Sequence, residues 1–279
     1  MAADRITSFS RDRLTFEVRD EGPLDGDVVV LLHGFPQLNN SWDQVVPLLH
    51  AQGLRTLAPN QRGYSPGARP RGRWTYRSSE LVADVLALAE LAGGPVHLVG
   101  HDWGAAVAWG TAVLAPEKVR TLTAVSVPHP GAFMAAMPRG QALDSWYTAL
   151  FNLPWLPERL LSSPRFSGWF LRRAGMTPAM VADFHRDIVE GGALRGGLGC
   201  YRALALFNPQ VFRTHVQVPT TYVWSDGDVF LGRAGAQLCE RYVDGAYTFQ
   251  VIEGASHWIP DERPQALASA ILDRIGAIS

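Results

Sequence analysis

Cysteine is scarce in this chain, and its scarcity excludes one class of structure. Only Cys200 and Cys239 occur among the 279 residues, which is too few for a framework of disulfides. Neither cysteine has the spacing of a metal-binding or redox motif. We expect both to be small buried hydrophobic residues, which is the usual environment of a free cysteine.

Long apolar runs and clusters of like charge are also missing. No stretch is long and apolar enough to cross a bilayer, and residues 1–22 carry charges throughout, without the apolar core of a signal peptide. We therefore expect a cytoplasmic protein with no membrane partner. The formal net charge is −1 and there is no run of Lys and Arg, so nothing in the charge favours nucleic acid as a partner. The sequence indicates no oligomeric state.

The residues that are present are typical of an ordinary globular protein, with 47% hydrophobic and 18% charged residues. Short apolar runs alternate with amphipathic stretches, which predicts an α/β fold with a mostly parallel sheet flanked by helices. Strands are predicted at 6–10, 14–18, 28–32, 55–59, 96–99, 122–127, 218–224 and 247–252. Between 128 and 217 the alternation is lost. We predict a core domain formed by residues 1–128 and 218–279, and a helical cap inserted after the sixth strand, at residues 129–217.

The turn Gly100-His101-Asp102-Trp103-Gly104 lies between a predicted strand and a predicted helix. This is the context of the nucleophile elbow, with aspartate in place of serine. Attack of a carboxylate on a carbonyl would give a mixed anhydride, whereas attack on a saturated carbon gives an ordinary alkyl ester. The turn therefore favours displacement at carbon by Asp102. The alternative is that Asp102 only caps the following helix.

Three further strand ends carry polar groups that suit this chemistry. His33-Gly34-Phe35-Pro36 follows the strand at 28–32, and the backbone N–H groups of Phe35 and Trp103 are the predicted oxyanion hole. Asp228 and His257 follow the last two strands, in the order nucleophile, acid, histidine that this architecture uses. His257 is the predicted base, oriented by Asp228. Asp226, in the same loop, is the competing acid.

The other histidines show no metal-ligand spacing, so the sequence indicates no metal site. We expect His33 to be a buried, hydrogen-bonded loop residue rather than a catalyst. His101 is expected to pack or form a hydrogen bond at its strand end.

The segment His33-Gly34-Phe35-Pro36-Gln37, taken with Gly100-His101-Asp102-Trp103-Gly104, resembles the epoxide hydrolases of the α/β-hydrolase fold, which are related to the haloalkane dehalogenases. The resemblance covers nearly the whole chain. It implies two cap tyrosines that donate hydrogen bonds to the epoxide oxygen, and Tyr147 and Tyr201 occupy the matching positions. Ring opening needs such donors because an alkoxide is a very poor leaving group.

The reaction that this resemblance implies is conversion of a hydrophobic epoxide and water to a vicinal diol. Asp102 would form the ester, and water activated by His257 would release the product, with no cofactor.

Two alternatives stay open. A haloalkane dehalogenase usually has Asn where Phe35 stands, although Trp103 remains as a halide donor and Trp146, Trp155 or Trp169 could replace the missing one. Fluoroacetate dehalogenases resemble the loop at His33 but place Arg directly after the nucleophile, where this chain has Trp103. The second alternative is a catalytically silent ligand-binding protein on the same fold.

Overall fold

An eight-stranded, mostly parallel sheet forms the centre of the computed structural model, which describes residues 4–278. The strand order is β1-β2-β4-β3-β5-β6-β7-β8. Only the pairs β1–β2 and β2–β4 are antiparallel among these neighbours. The strands are β1 Ser8–Arg11, β2 Leu14–Glu21, β3 Val28–Leu32, β4 Arg55–Pro59, β5 Val96–His101, β6 Val119–Val125, β7 Thr220–Ser225 and β8 Tyr247–Ile252. The predicted fold class is confirmed.

Helices cover both faces of the sheet and fill the chain between β6 and β7. The α-helices are α1 Val46–His50, α2 Ser78–Leu91, α3 Trp103–Leu114, α4 Pro130–Ala136, α5 Gln141–Asp144, α6 Trp146–Phe151, α7 Leu156–Leu161, α8 Pro164–Arg173, α9 Pro178–Asp183, α10 Leu194–Arg202, α11 Gln210–Arg213, α12 Arg233–Leu238, α13 Ile259–Glu262 and α14 Pro264–Gly276. A π-helix spans Phe184–Glu190. We call residues 129–217 the cap segment. The division of the chain into core and cap domains stays a prediction.

The central strand β3 shows why these apolar runs form buried strands. Successive side chains of a strand point to opposite faces of the sheet. Val30 and Leu32 join one hydrophobic cluster, while Val29 and Leu31 join a second cluster. Such a strand is therefore apolar at every position, as expected where helices cover both faces of a parallel sheet.

The carboxyl ends of β3, β5, β7 and β8 lie at one edge of the sheet, because these strands run in parallel. In open α/β sheets this edge is where ligands bind. The four predicted strand-end motifs are therefore brought to the same place.

Two other expectations from the sequence can be compared with the structure. Cys200 and Cys239 are free and buried, as predicted. None of the helices within residues 4–278 has both the length and the apolar composition needed to cross a membrane.

Candidate active site

Asp102 lies at the tight turn between β5 and α3. Its backbone has φ +54° and ψ −120°, a region that residues other than glycine rarely adopt and that costs about 1–3 kcal/mol. A Cβ on Gly100 would lie 2.2 Å from the carbonyl oxygen of Gly104, and one on Gly104 would lie 2.0 Å from that of Leu32. Neither position accepts a side chain. The turn therefore needs glycine on both sides of the aspartate.

Two backbone donors face the Asp102 carboxylate. The N–H of Phe35 donates a 2.7 Å hydrogen bond to Oδ1, and the N–H of Trp103 also donates to this carboxylate. The structure thus brings both predicted oxyanion-hole residues to the nucleophile.

Gly34 makes this approach possible, although its role was not predicted from the sequence. A Cβ at Gly34 would lie 2.3 Å from Cβ and 2.4 Å from Oδ1 of Asp102. Its position directly before a predicted oxyanion donor was the available signal.

His257 connects two carboxylates. Its Nδ1 lies 2.7 Å from Oδ2 of Asp228, and its Nε2 lies 3.5 Å from Oδ2 of Asp102. The other oxygen of Asp228 accepts hydrogen bonds from the N–H groups of Phe230, at 2.8 Å, and Leu231, at 3.1 Å. These two donors fix the carboxylate, and they could not be predicted from residue types because they are main-chain groups.

Asp226, the competing acid, lies elsewhere. Its carboxylate is exposed and accepts a 2.8 Å hydrogen bond from the N–H of Gly254. The structure therefore places Asp228, and not Asp226, against the imidazole of His257.

The charges of this cluster favour an ion pair in the free protein. Burial lowers the pKa of His257, but the negative charges of Asp228 and Asp102 outweigh burial and raise it to about 10. Burial raises the pKa of Asp102, but the hydrogen bond and positive charge of His257 outweigh this effect and lower it. Asp102 is therefore held as a carboxylate, the form that a nucleophile needs.

Two buried polar residues, His101 and Ser126, hold the backbone carbonyl group of His257 in place. Nε2 of His101 lies 2.9 Å from the carbonyl oxygen of His257, and the hydroxyl of Ser126 donates to the same oxygen at 3.1 Å. Burial lowers the pKa of His101 to about 4, so its ring is neutral. Ser126 was missed in the sequence because it lies inside the predicted strand at 122–127, whereas the strand of the structure ends at Val125 and Ser126 directly follows it.

His33 is buried and hydrogen-bonded, as expected. Its Nδ1 lies 3.1 Å from the carbonyl oxygen of Gly34, and its Nε2 accepts a hydrogen bond from the N–H of Gln61. Burial lowers its pKa to about 4.

Tyr147 on α6 and Tyr201 on α10 lie above Asp102, with ring centroids 6.1 Å apart. Burial raises the pKa of both phenols well above the ordinary value, and the negative charge of Asp102 raises them further. Both phenols therefore keep their protons and are available as hydrogen-bond donors. The structure brings both predicted tyrosines to the nucleophile.

Trp103 contacts one of these tyrosines. Its ring lies perpendicular to that of Tyr201, with centroids 4.9 Å apart. The indole also acts on the phenol, lowering the pKa of Tyr201 against the larger rise caused by burial. Since the indole N–H is the only polar group of a tryptophan side chain, this group lies near the phenol oxygen.

Two cavities meet at Asp102, Tyr147 and Tyr201. The larger has a volume of about 330 Å³, and its remaining walls are mainly apolar. The smaller has a volume of about 20 Å³ and is also lined by His257, which does not line the larger cavity.

Comparison with known proteins agrees with this fold. Residues 29–270 match the model of the alpha/beta hydrolase family. The chain is 35% identical to the AB hydrolase superfamily protein YfhM of Bacillus subtilis, over 93% of this chain and 94% of that protein. It is 33% identical to epoxide hydrolase 2 of Caenorhabditis elegans, over 88% of this chain and 73% of that protein.

A solved structure described as a novel epoxide hydrolase from metagenomes of hot environments superposes with a TM-score of 0.81. It is 26% identical, and the match covers 94% of this chain and 95% of that one. This chain therefore belongs to the α/β hydrolase family, in the group that contains the epoxide hydrolases.

Proposed function

We propose that this protein hydrolyses epoxides to vicinal diols through an ester on Asp102. The observation that carries the proposal is the convergence of a nucleophilic carboxylate and two protonated tyrosines on one cavity. A carboxylate can open the ring at carbon, and a phenol can donate to the oxygen that departs.

The first step forms the ester. Oδ2 of Asp102 attacks a ring carbon, the bond from that carbon to the epoxide oxygen breaks, and Tyr147 and Tyr201 stabilise the oxygen as it gains charge. Oδ1 cannot serve equally well, because it already accepts the hydrogen bond from Phe35.

The second step hydrolyses the ester. Formation of the ester removes the negative charge of Asp102, which is one of the influences that raise the pKa of His257. The pKa of His257 then falls, so the imidazole gives up the proton it holds in the free protein, and this proton neutralises the alkoxide of the opened epoxide. His257 is now neutral, the form that can act as a base, while Asp228 continues to hold its Nδ1 at 2.7 Å.

Water gives its proton to Nε2 and adds to the ester carbonyl, and the N–H groups of Phe35 and Trp103 stabilise the oxyanion. The oxyanion then collapses, the bond between the carboxyl carbon and Oδ2 breaks, and Oδ2 leaves in the diol with the proton from Nε2. Asp102 is regenerated as a carboxylate, with one oxygen supplied by the water.

The small cavity suits the water of this step. Its volume of about 20 Å³ exceeds the roughly 10–15 Å³ that a single water requires. It is bounded by both Asp102 and His257, the groups between which the attacking water must lie.

The larger cavity favours a small hydrophobic epoxide as the substrate. Its walls include Phe133, Met137, Phe207 and Leu231, which would exclude water from the reacting carbon. Epoxide and water are the only reactants that this sequence of steps requires.

The haloalkane dehalogenase alternative is less well supported. Trp146, Trp155 and Trp169 are 53%, 67% and 56% exposed and line neither cavity at Asp102. The indole of Trp103 lines the larger cavity and lies against the ring of Tyr201. None of the three tryptophans that could replace the second halide donor is therefore at this site, whereas both phenols are present.

The decisive experiment traps the ester. A His257→Gln variant incubated with an epoxide should gain the mass of one epoxide molecule, because the ester forms and cannot be hydrolysed. Peptide mapping should place the added mass on Asp102, and the double variant Asp102→Asn, His257→Gln should gain none. An unmodified mass in a variant that demonstrably binds the epoxide would exclude the mechanism.

A variant of Asp102 also tests the alternative that this protein is a catalytically silent ligand-binding homologue. A protein that only binds ligands would retain its biological activity when Asp102 is replaced by Ala. The proposal requires that this replacement abolish diol formation.

A further inference from the structure

A recess lined by arginines lies on the side of α10 opposite Tyr201. It has a volume of about 320 Å³ and is lined by Arg69, Arg71, Arg73, Arg195 and Arg202. Positions 195, 199 and 202 share one face of a helix, because residues three and four apart are neighbours. Position 201 lies on the other face, which borders the active-site cavity. The recess is therefore separate from the site at Asp102.

Most of this positive charge is not matched by carboxylates. No Asp or Glu is among the described residues that line the recess. Arg69 donates to the backbone carbonyl oxygens of Tyr64, at 2.7 and 3.0 Å, and of Gly191, at 2.7 Å. These contacts hold the guanidinium of Arg69 in place, but carbonyl oxygens do not neutralise its positive charge.

The remaining arginines differ in their pairing. Arg202 forms a bidentate pair with Glu158, at 2.7 and 2.9 Å. Arg71, Arg73 and Arg195 are exposed and make no ion pair within the part of the chain that the structure describes. Three guanidinium groups are therefore available to a ligand.

Arg71, Arg73 and Arg195 line the same space. Gly72 has φ +91°, a conformation that glycine adopts readily, and it turns the chain between Arg71 and Arg73. Burial raises the pKa of the Tyr76 phenol, and the positive charges of Arg195 and Arg69 act against that rise. Guanidinium groups from both walls of the recess thus lie within electrostatic reach of one side chain.

A second hollow adjoins the recess and provides an aromatic surface. It shares Arg73, Arg195 and Arg202 with the recess, includes Glu158, the partner of Arg202, and extends to Trp155. Trp155 is 67% exposed, which is unusual for so large an apolar residue. Anionic and aromatic parts of one ligand could therefore be bound side by side.

We propose that this recess binds a small organic phosphate, with the phosphate among Arg71, Arg73 and Arg195 and the organic part against Trp155. The planar fork of a guanidinium matches the oxygens of a phosphate. The concave shape and limited volume fit a small molecule rather than an extended nucleic acid.

Isothermal titration with phenyl phosphate tests the proposal in the intact protein. We expect saturable binding of one molecule per chain that weakens as salt is added, since salt screens exposed charges. Inorganic phosphate lacks the ring and benzoate carries a single charge, so both should bind more weakly. The measurement needs no epoxide, so its outcome is independent of the proposed reaction.

Two triple variants that lose the same positive charge distinguish a specific phosphate site from general electrostatic attraction. Replacing Arg71, Arg73 and Arg195 with Gln should weaken binding of phenyl phosphate by about 100-fold or more, because a charged hydrogen bond contributes roughly tenfold or more to affinity. Replacing Arg165, Arg172 and Arg173 with Gln removes the same charge from α8 and should leave binding unchanged. Trp155→Ala should weaken phenyl phosphate more than inorganic phosphate.

Three results would overturn the proposal. The first is an absence of saturable binding to the wild type at millimolar phenyl phosphate. The second is an equal loss of affinity in the two triple variants, when thermal unfolding shows both to be folded. The third is binding of a phosphorylated peptide without binding of phenyl phosphate, which would assign the surface to a protein partner instead.

Discussion

The backbone N–H of Phe35 holds Oδ1 of Asp102 with a 2.7 Å hydrogen bond. This contact makes the two carboxylate oxygens unequal, since Oδ2 is directed toward Nε2 of His257 at 3.5 Å. In the proposed reaction, the oxygen that attacks and the oxygen that later becomes the oxyanion are thus distinguished before substrate binds. The arrangement depends on close approach of two backbone segments, and it can be tested at the glycine between them.

Gly34→Ala should reduce kcat for epoxide hydrolysis by about 100-fold, the loss expected from a displacement of roughly 1 Å. The new Cβ would lie 2.4 Å from Oδ1 of Asp102, so the carboxylate must move from its donors. Gly168→Ala on α8 is the matched control, because a Cβ there meets nothing within 4 Å. Steady-state kinetics of both variants check the prediction, and wild-type kcat in Gly34→Ala would contradict it.

Asp228→Asn should reduce kcat by about 10⁴-fold, the effect of replacing the acid that orients a catalytic histidine. Asp228 contacts Nδ1 of His257 at 2.7 Å, and an amide can present its donor to that nitrogen and stabilise the wrong tautomer. Asp226→Asn should change kcat less than about threefold, since its exposed carboxylate only accepts from Gly254. If Asp226→Asn is the inactive variant, the assignment of the acid is wrong.

The two phenols should be needed for epoxides and not for alkyl halides. Tyr147→Phe and Tyr201→Phe should each lower kcat with an epoxide by about 100-fold, the lower limit for general acid catalysis. A halide needs no proton to leave, so any turnover of an alkyl bromide should be nearly unchanged. Tyr242→Phe, which lines neither cavity at Asp102, is the control. Equal losses on both substrates would indicate that the tyrosines act only in packing.

The contribution of His257 to stability should decrease as the pH rises. The pKa of His257 is raised from 6.5 to about 10 in the folded protein, so the folded state retains a proton that the unfolded state releases. The resulting stabilisation is complete below pH 6.5 and is lost as the pH rises toward 10.

Urea denaturation at several pH values measures this effect. The difference in the free energy of unfolding between wild type and His257→Gln should be largest near pH 6.5 and should shrink by pH 9.5. The same comparison in an Asp102→Asn background should show a weaker pH dependence, because one of the two carboxylates is removed. A difference that stays constant or grows with pH would contradict the ion pair.

The sequence predicted the sheet well because its strands are short apolar runs bounded by turns. The bounds predicted for Val28–Leu32, Arg55–Pro59 and Tyr247–Ile252 match the structure. For β6 the prediction began at Leu122, whereas the strand begins at Val119. Arg120 and Thr121 hid its start, since polar residues interrupt an apolar run even where the backbone continues to pair.

The candidate site was predictable where it depends on residue type and chain order. Asp102, Asp228 and His257 were identified in this way. It was not predictable where it depends on distances between segments far apart in sequence. The approach of Gly34 to Asp102 and the support of His257 by Ser126 are of this kind. The individual helices of the cap segment were not predicted either, because their short lengths give little periodicity to detect.

The two cavities at Asp102 should make the rate of ester formation and the rate of ester hydrolysis depend differently on the size of the substrate. The water-sized cavity borders His257, and the apolar cavity does not. A bulky substituent that crowds the apolar cavity should therefore slow formation of the ester without hindering the arrival of water. Across a series of epoxides of increasing size, the alkylation rate should vary widely, while the rate of ester hydrolysis stays within a narrow range.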